Sequence, residues 1–421
     1  MRLCIFEDDT FSNFYPLTYL RPTFQLRCGI FTLMERIVRA FNPENITLIC
    51  RKNLNPTLRE GGFNPVTSAF SLEERMLFVN GTVLNAFELS RMITMLPDEN
   101  TIYMSGGRLV AAYLDSHKSR QLAYYLLDQD ITTALDTLGD DITRHEVDVR
   151  CAEFTWDLIE VNPQMLEDDI NTCVEVGVHG DVHEQAVLYN PSQIYIGEGA
   201  QVDAMSVIDA RGGPIYISAG VEIEPFSLIQ GPCYIGDKTR IVGGQIREGT
   251  TIGPMCRVGG ELEESIIQGY SNKYHAGFLG HSYLGEWVNI GAIATNSDLK
   301  NTYSNVRMEV NNHMVDTGLM KMGVVLGDHV KLGIGVMLVG GATVGVASNI
   351  MNGLAPKIIP PFVWSDGNNV SEYTLEKFIT VAGKAMSRRK VDLTTAQANL
   401  IRHVFYQTRG QRQPLYSSQV L

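Results

Sequence analysis

The sequence lacks any paired-cysteine pattern. Its seven cysteines (Cys4, Cys28, Cys50, Cys151, Cys173, Cys233 and Cys256) are odd in number, scattered, and never form CxxC. That argues against a disulfide framework or a zinc site and leaves buried free thiols as the expected role. Long apolar runs are missing too: none approaches the roughly 20 residues that span a bilayer. The opening MRLCIFEDD puts acids where a signal peptide needs a longer apolar core, so a cytoplasmic location is expected. Positive charge is in short supply, with 34 Lys and Arg against 47 Asp and Glu and a net charge of -13. Such a surface repels phosphate backbones and anionic lipid, which argues against nucleic acid and membrane as partners.

What is present divides into three stretches, as expected for 421 residues, too many for one ordinary domain. Over 1–185, short β-rich runs (RLCIF, ITLIC, MLFVN) alternate with helical stretches (IFTLMERIVRAF, KSRQLAYYLLDQ). This predicts an α/β, Rossmann-like domain of parallel strands and crossover helices. Ligands of such sheets bind beyond the carboxyl ends of the strands, here the loops after Phe6 and Val79. Over 190–360, aliphatic residues recur at a spacing of six, as in Ile217, Ile223, Ile229, Ile235 and Ile241, and again in Leu326, Leu332, Leu338 and Val344. A period of six fits a triangular coil that turns one aliphatic side chain inward from each flat side. The register breaks at about 262–283 and 297–323, and projecting loops there are places where a site can be built. Over 370–421 a helical tail is expected, with Leu375, Phe378, Ile379, Ala382 and Met386 on one face and Leu400, Ile401, Val404 and Phe405 on another. The tail carries eight Lys and Arg against three Asp and Glu, which suits either docking on an acidic flank or a solvated basic helix.

The combination of FEDDTFSNFYPLTYLRPT (Phe6 to Thr23) with a six-residue repeat resembles the sugar nucleotidyltransferase-like family. That family is related to the bifunctional N-acetylglucosamine-1-phosphate uridylyltransferase/glucosamine-1-phosphate acetyltransferase, whose C-terminal half is a hexapeptide-repeat acyltransferase. The resemblance implies a left-handed parallel β-helix, a homotrimer, and sugar-nucleotide formation for cell-envelope polysaccharide. Nucleoside triphosphate, sugar phosphate and acetyl-CoA would be its small-molecule partners.

Nucleotidyl transfer needs backbone donors for the triphosphate, a cation for the leaving group and carboxylates for Mg2+. Where the family carries glycines this chain has Glu7, Asp8 and Asp9, which without metal would repel a triphosphate. Asp8 and Asp9 are therefore candidate Mg2+ ligands, Arg21 the candidate phosphate cation, and Asn80 and Gly81 candidates for nucleotide or sugar-phosphate binding. Asn162, in TWDLIEVN, falls near the family's second metal position, with Asp168 and Asp169 close by. The alternative is a domain that no longer binds nucleotide.

In the back half, SNKYHAGFLGHSYLGEWVNIGAIATNSDLKN resembles the family's acyltransferase segment. The resemblance makes His275 the catalytic base and gives Asn289, Gly291, Ala292, Asn296 and Lys300 acyl- or sugar-binding roles. It departs at Phe278, at Glu263 and in a loop two residues shorter, which points to a different acceptor sugar or to none. His281 has no equivalent and reads as structural. The rival readings are acyl transfer alone, with a retired front domain, and a non-catalytic trimeric sugar-nucleotide-binding scaffold.

Overall fold

The computed structural model describes residues 2–93, 99–139, 141–367 and 369–417. Its front sheet has strand order Asn45–Ile49, Arg2–Phe6, Met76–Asn80, Arg108–Leu114, Thr101–Ser105, Thr143–Glu146. The first three strands are parallel, as expected. Arg108–Leu114 instead runs antiparallel to both its neighbours. The cause is local: Gly106 and Gly107, both at positive φ, close a two-residue hairpin, which cannot join parallel strands. The sheet is thus mixed rather than wholly parallel.

Helix Thr155–Cys173 ends the front unit and lies against the solenoid. Its Trp156 and Ile159 share an apolar core with Leu17, Leu26, Ile266 and Tyr283, so the two units meet through a continuous buried seam. Asn162 and Tyr283 pin that seam. Asn162 accepts from Gly29 N–H at 2.7 Å and donates to Gly249 O at 2.8 Å and Thr251 Oγ1 at 3.0 Å. The Tyr283 hydroxyl accepts from Arg27 N–H and donates to Arg27 O, each at 2.8 Å.

The solenoid is three-sided and parallel, and its first rungs, Gly177–Val178 and Asp181–Val182, lie ahead of the expected start at 190. Inward aliphatic side chains from Ile194 to Val363 form one unbroken core. The coils stack backbone on backbone: a Cβ on Gly253 would lie 2.1 Å from Gln268 O. No break occurs at 262–283, where rungs Glu261–Glu263, Ile266–Gly269, Asn272–Lys273, Phe278–Gly280 and Tyr283–Glu286 continue the coil. The aliphatic pattern fails there because Lys273 pairs with Val258 at an inward position, where its ammonium donates to Gly259 O at 3.2 Å and His275 O at 2.8 Å. The second interruption is real: hairpin Arg307–Val310/His313–Asp316 leaves the coil. It packs on the front unit, where Asn311 donates to Ser12 and Asn13.

The tail forms helices Leu375–Ser387, Thr395–Gln407 and Arg409–Ser417. The expected faces are the ones used, for Phe378, Ala382, Leu400, Ile401, Val404 and Phe405 join a core with Leu3, Ile5 and Leu77 of the front sheet and Phe362 of the last coil. The tail therefore docks through an apolar seam and closes the molecule back on its own beginning.

Candidate functional sites

The acids of the first loop are committed to arginines within the front unit. Glu7 is fully buried; it accepts from Arg51 Nε at 2.9 Å, Arg51 Nη2 at 3.2 Å and Thr23 N–H at 2.9 Å. Asp8 accepts from Arg108 Nε at 3.0 Å and Nη2 at 2.8 Å, from Asn80 Nδ2 at 2.7 Å and from Thr10 Oγ1 at 2.5 Å. Burial alone would raise the Asp8 carboxyl, but Arg108 with Thr10 and Asn80 outweighs it and holds it below the ordinary carboxylate value. Asp9 is exposed.

These positions do not form the expected metal set. Asp8 is saturated, Asn162 is bound into the seam with the solenoid, and the two share no partner. A hard cation needs several free oxygens, and the residues present do not offer them. Among the described residues, Glu263, Glu264 and His281 have ligand atoms within 4.8 Å of one another. His281, however, lies 2.8 Å from Asp298 and 3.4 Å from Glu264. Burial favours its neutral form, yet those two carboxylates push it up to about 9. In this structure it ties those two carboxylates together.

The other front-half candidates are occupied as well. Arg21 is buried between solenoid carboxylates, 2.9 Å from Asp328 and 3.1 Å from Glu286. Asn80 spends its amide on Asp8, Leu109 O and Thr82. Gly81 packs so closely that a Cβ there would lie 2.8 Å from the Phe24 Cβ. The cations at the carboxyl ends of the strands are Arg51 and Arg108, which sequence reasoning missed; isolated arginines far along the chain gave no signal.

The solenoid presents a different picture. His275, Asn289, Gly291 and Ala292 line one cleft of about 470 Å³ on the outer face of a single sheet. Rungs Asn272–Lys273 and Asn289–Ile290 pair in parallel register, which sets Asn272 and Asn289 side by side, 3.3 Å apart through their amides. Arg240, Arg257, Arg388 and Arg389 complete the wall. Arg240 is paired with Glu222. Arg389 reaches from the tail to Asn272 Oδ1 at 2.7 Å, and burial together with Arg257 and Arg388 holds its guanidinium below its usual value. Crowded guanidinium groups in a chain of net charge -13 make a local trap for an anion. Arg388 and Arg389 were missed as site residues, although the basic bias of the tail was their signal.

Two further candidates lie outside the cleft. Asn296 is buried at an inward rung position, in register with Leu338, and its amide brackets the Gly280 N–H and C=O, each at 3.1 Å. Lys300 donates to Asn305 O within the loop that leaves the coil.

Together these features define an α/β domain mounted on a parallel β-solenoid that carries an arginine-lined cleft. Residues 3–176 match the family model described as sugar nucleotidyl transferase. Parts of the chain are similar to proteins described as bifunctional. The chain is 31% identical over 93 residues to the bifunctional sugar-1-phosphate nucleotidylyltransferase/acetyltransferase of Sulfurisphaera tokodaii, covering 22% of this chain and 23% of that protein. It is 31% identical over 198 residues to the bifunctional protein GlmU of Methanocaldococcus jannaschii, covering 45% and 40%. To the GlmU of an Azoarcus species it is 33% identical over 124 residues, covering 27% and 25%. The matched region thus spans well under half the length of each of these relatives. Among the described residues no helix is long and apolar enough to cross a membrane.

Proposed function

We propose that the chain is a cytoplasmic transferase of sugar-nucleotide biosynthesis whose solenoid cleft transfers an acetyl group from acetyl-CoA to a sugar. The observation that carries this is the convergence of His275, Asn289, Gly291 and Ala292 with four arginines in one cleft. Coenzyme A and a sugar phosphate are both polyanions, which accounts for the arginines. His275 takes the proton of the acceptor amine or hydroxyl as it attacks the thioester carbonyl, the C–S bond breaks, and the departing thiolate is protonated. The Gly291 N–H is spent on Leu332 O at 2.8 Å, so stabilising the oxyanion falls to the Ala292 N–H. A left-handed coil and a homotrimer belong to this reading. His275→Ala should lower acetyl transfer by about two to four powers of ten while coenzyme A binding persists. Unchanged turnover, or no acetyl-CoA binding at millimolar concentration, would remove the assignment.

The front domain, which matches the sugar nucleotidyl transferase model, is in the same reading the nucleotidyl-transferring half. In this reading Arg108 and Arg51, rather than Arg21, meet the phosphates, exchanging their internal carboxylates for the nucleotide. A metal would have to arrive with the substrate, since Asp8, Asp9 and Asn162 do not assemble a site for it. The contact between Gly81 and Phe24 favours a second reading, in which this half binds no nucleotide. Pyrophosphate release, screened over nucleoside triphosphates and sugar phosphates with and without Mg2+, decides between them. Release that is lost in Arg108→Ala supports transfer, and silence across the panel supports the second reading.

A further inference from the structure

Arginine carries hydrogen-bond donors and no acceptor, so a carboxamide it bonds must turn its oxygen toward it. In the cleft this constraint passes through two residues. Arg389 stands just past helix Leu375–Ser387, where its N–H donates to Met386 O at 2.8 Å. Its guanidinium lies on the coil: Nε donates to Met255 O at 3.3 Å, and Nη2 donates to Asn272 Oδ1 at 2.7 Å. With its oxygen taken, Asn272 turns its Nδ2 to the next rung, where it donates to Asn289 Oδ1 at 3.3 Å.

Asn289 is thereby fixed in turn. The parallel register makes Asn272 and Asn289 direct partners, so turning the Asn289 amide over would set one NH2 group against another. Nothing on the other flank rewards that turn, because Lys331, next in register, directs its ammonium at Trp287 O. Asn289 Oδ1 therefore stays on Asn272, and Nδ2 is the end left to offer. Among the described residues this Nδ2 has no hydrogen-bond partner, and Asn289 is half-buried in the cleft wall.

A group that meets Asn289 must accept a hydrogen bond. A hydroxyl, carbonyl or phosphate oxygen does so, whereas an ammonium only donates. We propose, on the acetyl-transfer reading, that Arg389 is a positioning residue: acting through Asn272, it holds Asn289 with its NH2 toward the cleft, and Asn289 selects the acetyl acceptor by an oxygen of that molecule. The tail, which lies outside the match to the sugar nucleotidyl transferase model, thus takes part in the choice of acceptor.

The test is acetyl transfer from saturating acetyl-CoA to glucosamine 1-phosphate and a panel of other amino- and hydroxy-sugar phosphates, with kinetics on the best acceptor. Asn289→Leu and Asn272→Leu keep the side-chain volume and remove both polar ends. Each should lower kcat/KM for the acceptor by about two- to tenfold, the worth of one hydrogen bond, and leave KM for acetyl-CoA unmoved. The double variant should be no worse than Asn289→Leu alone, because Asn272 acts only through Asn289. Arg389→Gln, which can show Asn272 either an oxygen or a nitrogen, should likewise add nothing to Asn272→Leu, and Arg389→Lys, still a donor only, should recover part of its loss. Asn272→Ser stands in should Asn272→Leu fail to fold. An active wild type whose acceptor kinetics are untouched by Asn272→Leu would overturn the proposal. So would losses that multiply in either double variant, since Asn272 or Arg389 would then act on the ligand or the fold directly. A wild type silent toward every acceptor would instead remove the acetyl-transfer reading itself, and this proposal with it.

Discussion

Paired charges explain the least expected side chains of this protein. Glu7 and Asp8 serve Arg51 and Arg108 and so fix the loop that follows the first strand. His281 shows the same logic with a group that titrates near neutrality. Its protonated ring is held between Asp298 and Glu264 at a value of about 9, against 6.5 for a free histidine. Because the folded value is the higher one, the stabilisation is fully present below 6.5 and is lost as pH rises through about 9. A shift of that size is worth on the order of 3 kcal/mol. Urea midpoints should therefore fall across this window in the wild type, and His281→Gln should be less stable at the acidic end and lack the histidine-linked fall. Parallel pH profiles for the two proteins would show that the ring is not held in its charged form.

At the scale of the element, the sequence was legible wherever one residue type repeated at a fixed step. Six-residue spacing marked the coil from Ile217 to Ile241 because each inward position is aliphatic and buried. Between 262 and 283 the same coil was invisible, since an inward position is filled by Lys273 and the steps from Leu262 to Ile267 and from Leu279 to Leu284 are five residues long. Asn296 misled for a related reason. The resemblance implied a ligand contact, whereas its register with Leu338 places it in the wall of the coil, satisfying Gly280. His275, Asn289, Gly291 and Ala292 could be read as a group because they lie within one short segment. Their arginine neighbours could not, because Arg389 reaches Asn272 across 117 residues of sequence, a distance no local pattern spans. The same limit hid the true partners of Arg21 and Asp8, both set by tertiary packing.

For the whole molecule, the question is what covers one corner of the solenoid. Phe226, Ile293 and Ile334 stand there 76%, 67% and 72% exposed. They lie where the chain turns out of the rungs Glu222–Ile223, Asn289–Ile290 and Lys331–Leu332, which belong to one sheet, and Ile334 also lines the acetyl-transfer cleft. An apolar edge of this kind is costly in water and fits the proposed homotrimer, with a neighbour closing each cleft. Phe226→Asp should then shift the sedimentation mass from trimer to monomer and depress acetyl transfer with it. A monomeric wild type, or a variant that stays trimeric and fully active, would end that idea.

The closure of the tail upon the first strands also sets a timetable for synthesis. Arg21 is made well before its partner Asp328, which follows 307 residues later, and Tyr19 meets Gln411 only after 392. Until the coil through Asp328 exists, the Arg21 guanidinium has neither its carboxylates nor its final burial. Contacts of such separation are late and slow to form. The front sheet therefore leaves the ribosome before the coil, while the loop that follows its first strand gains its last partners only when the tail is made.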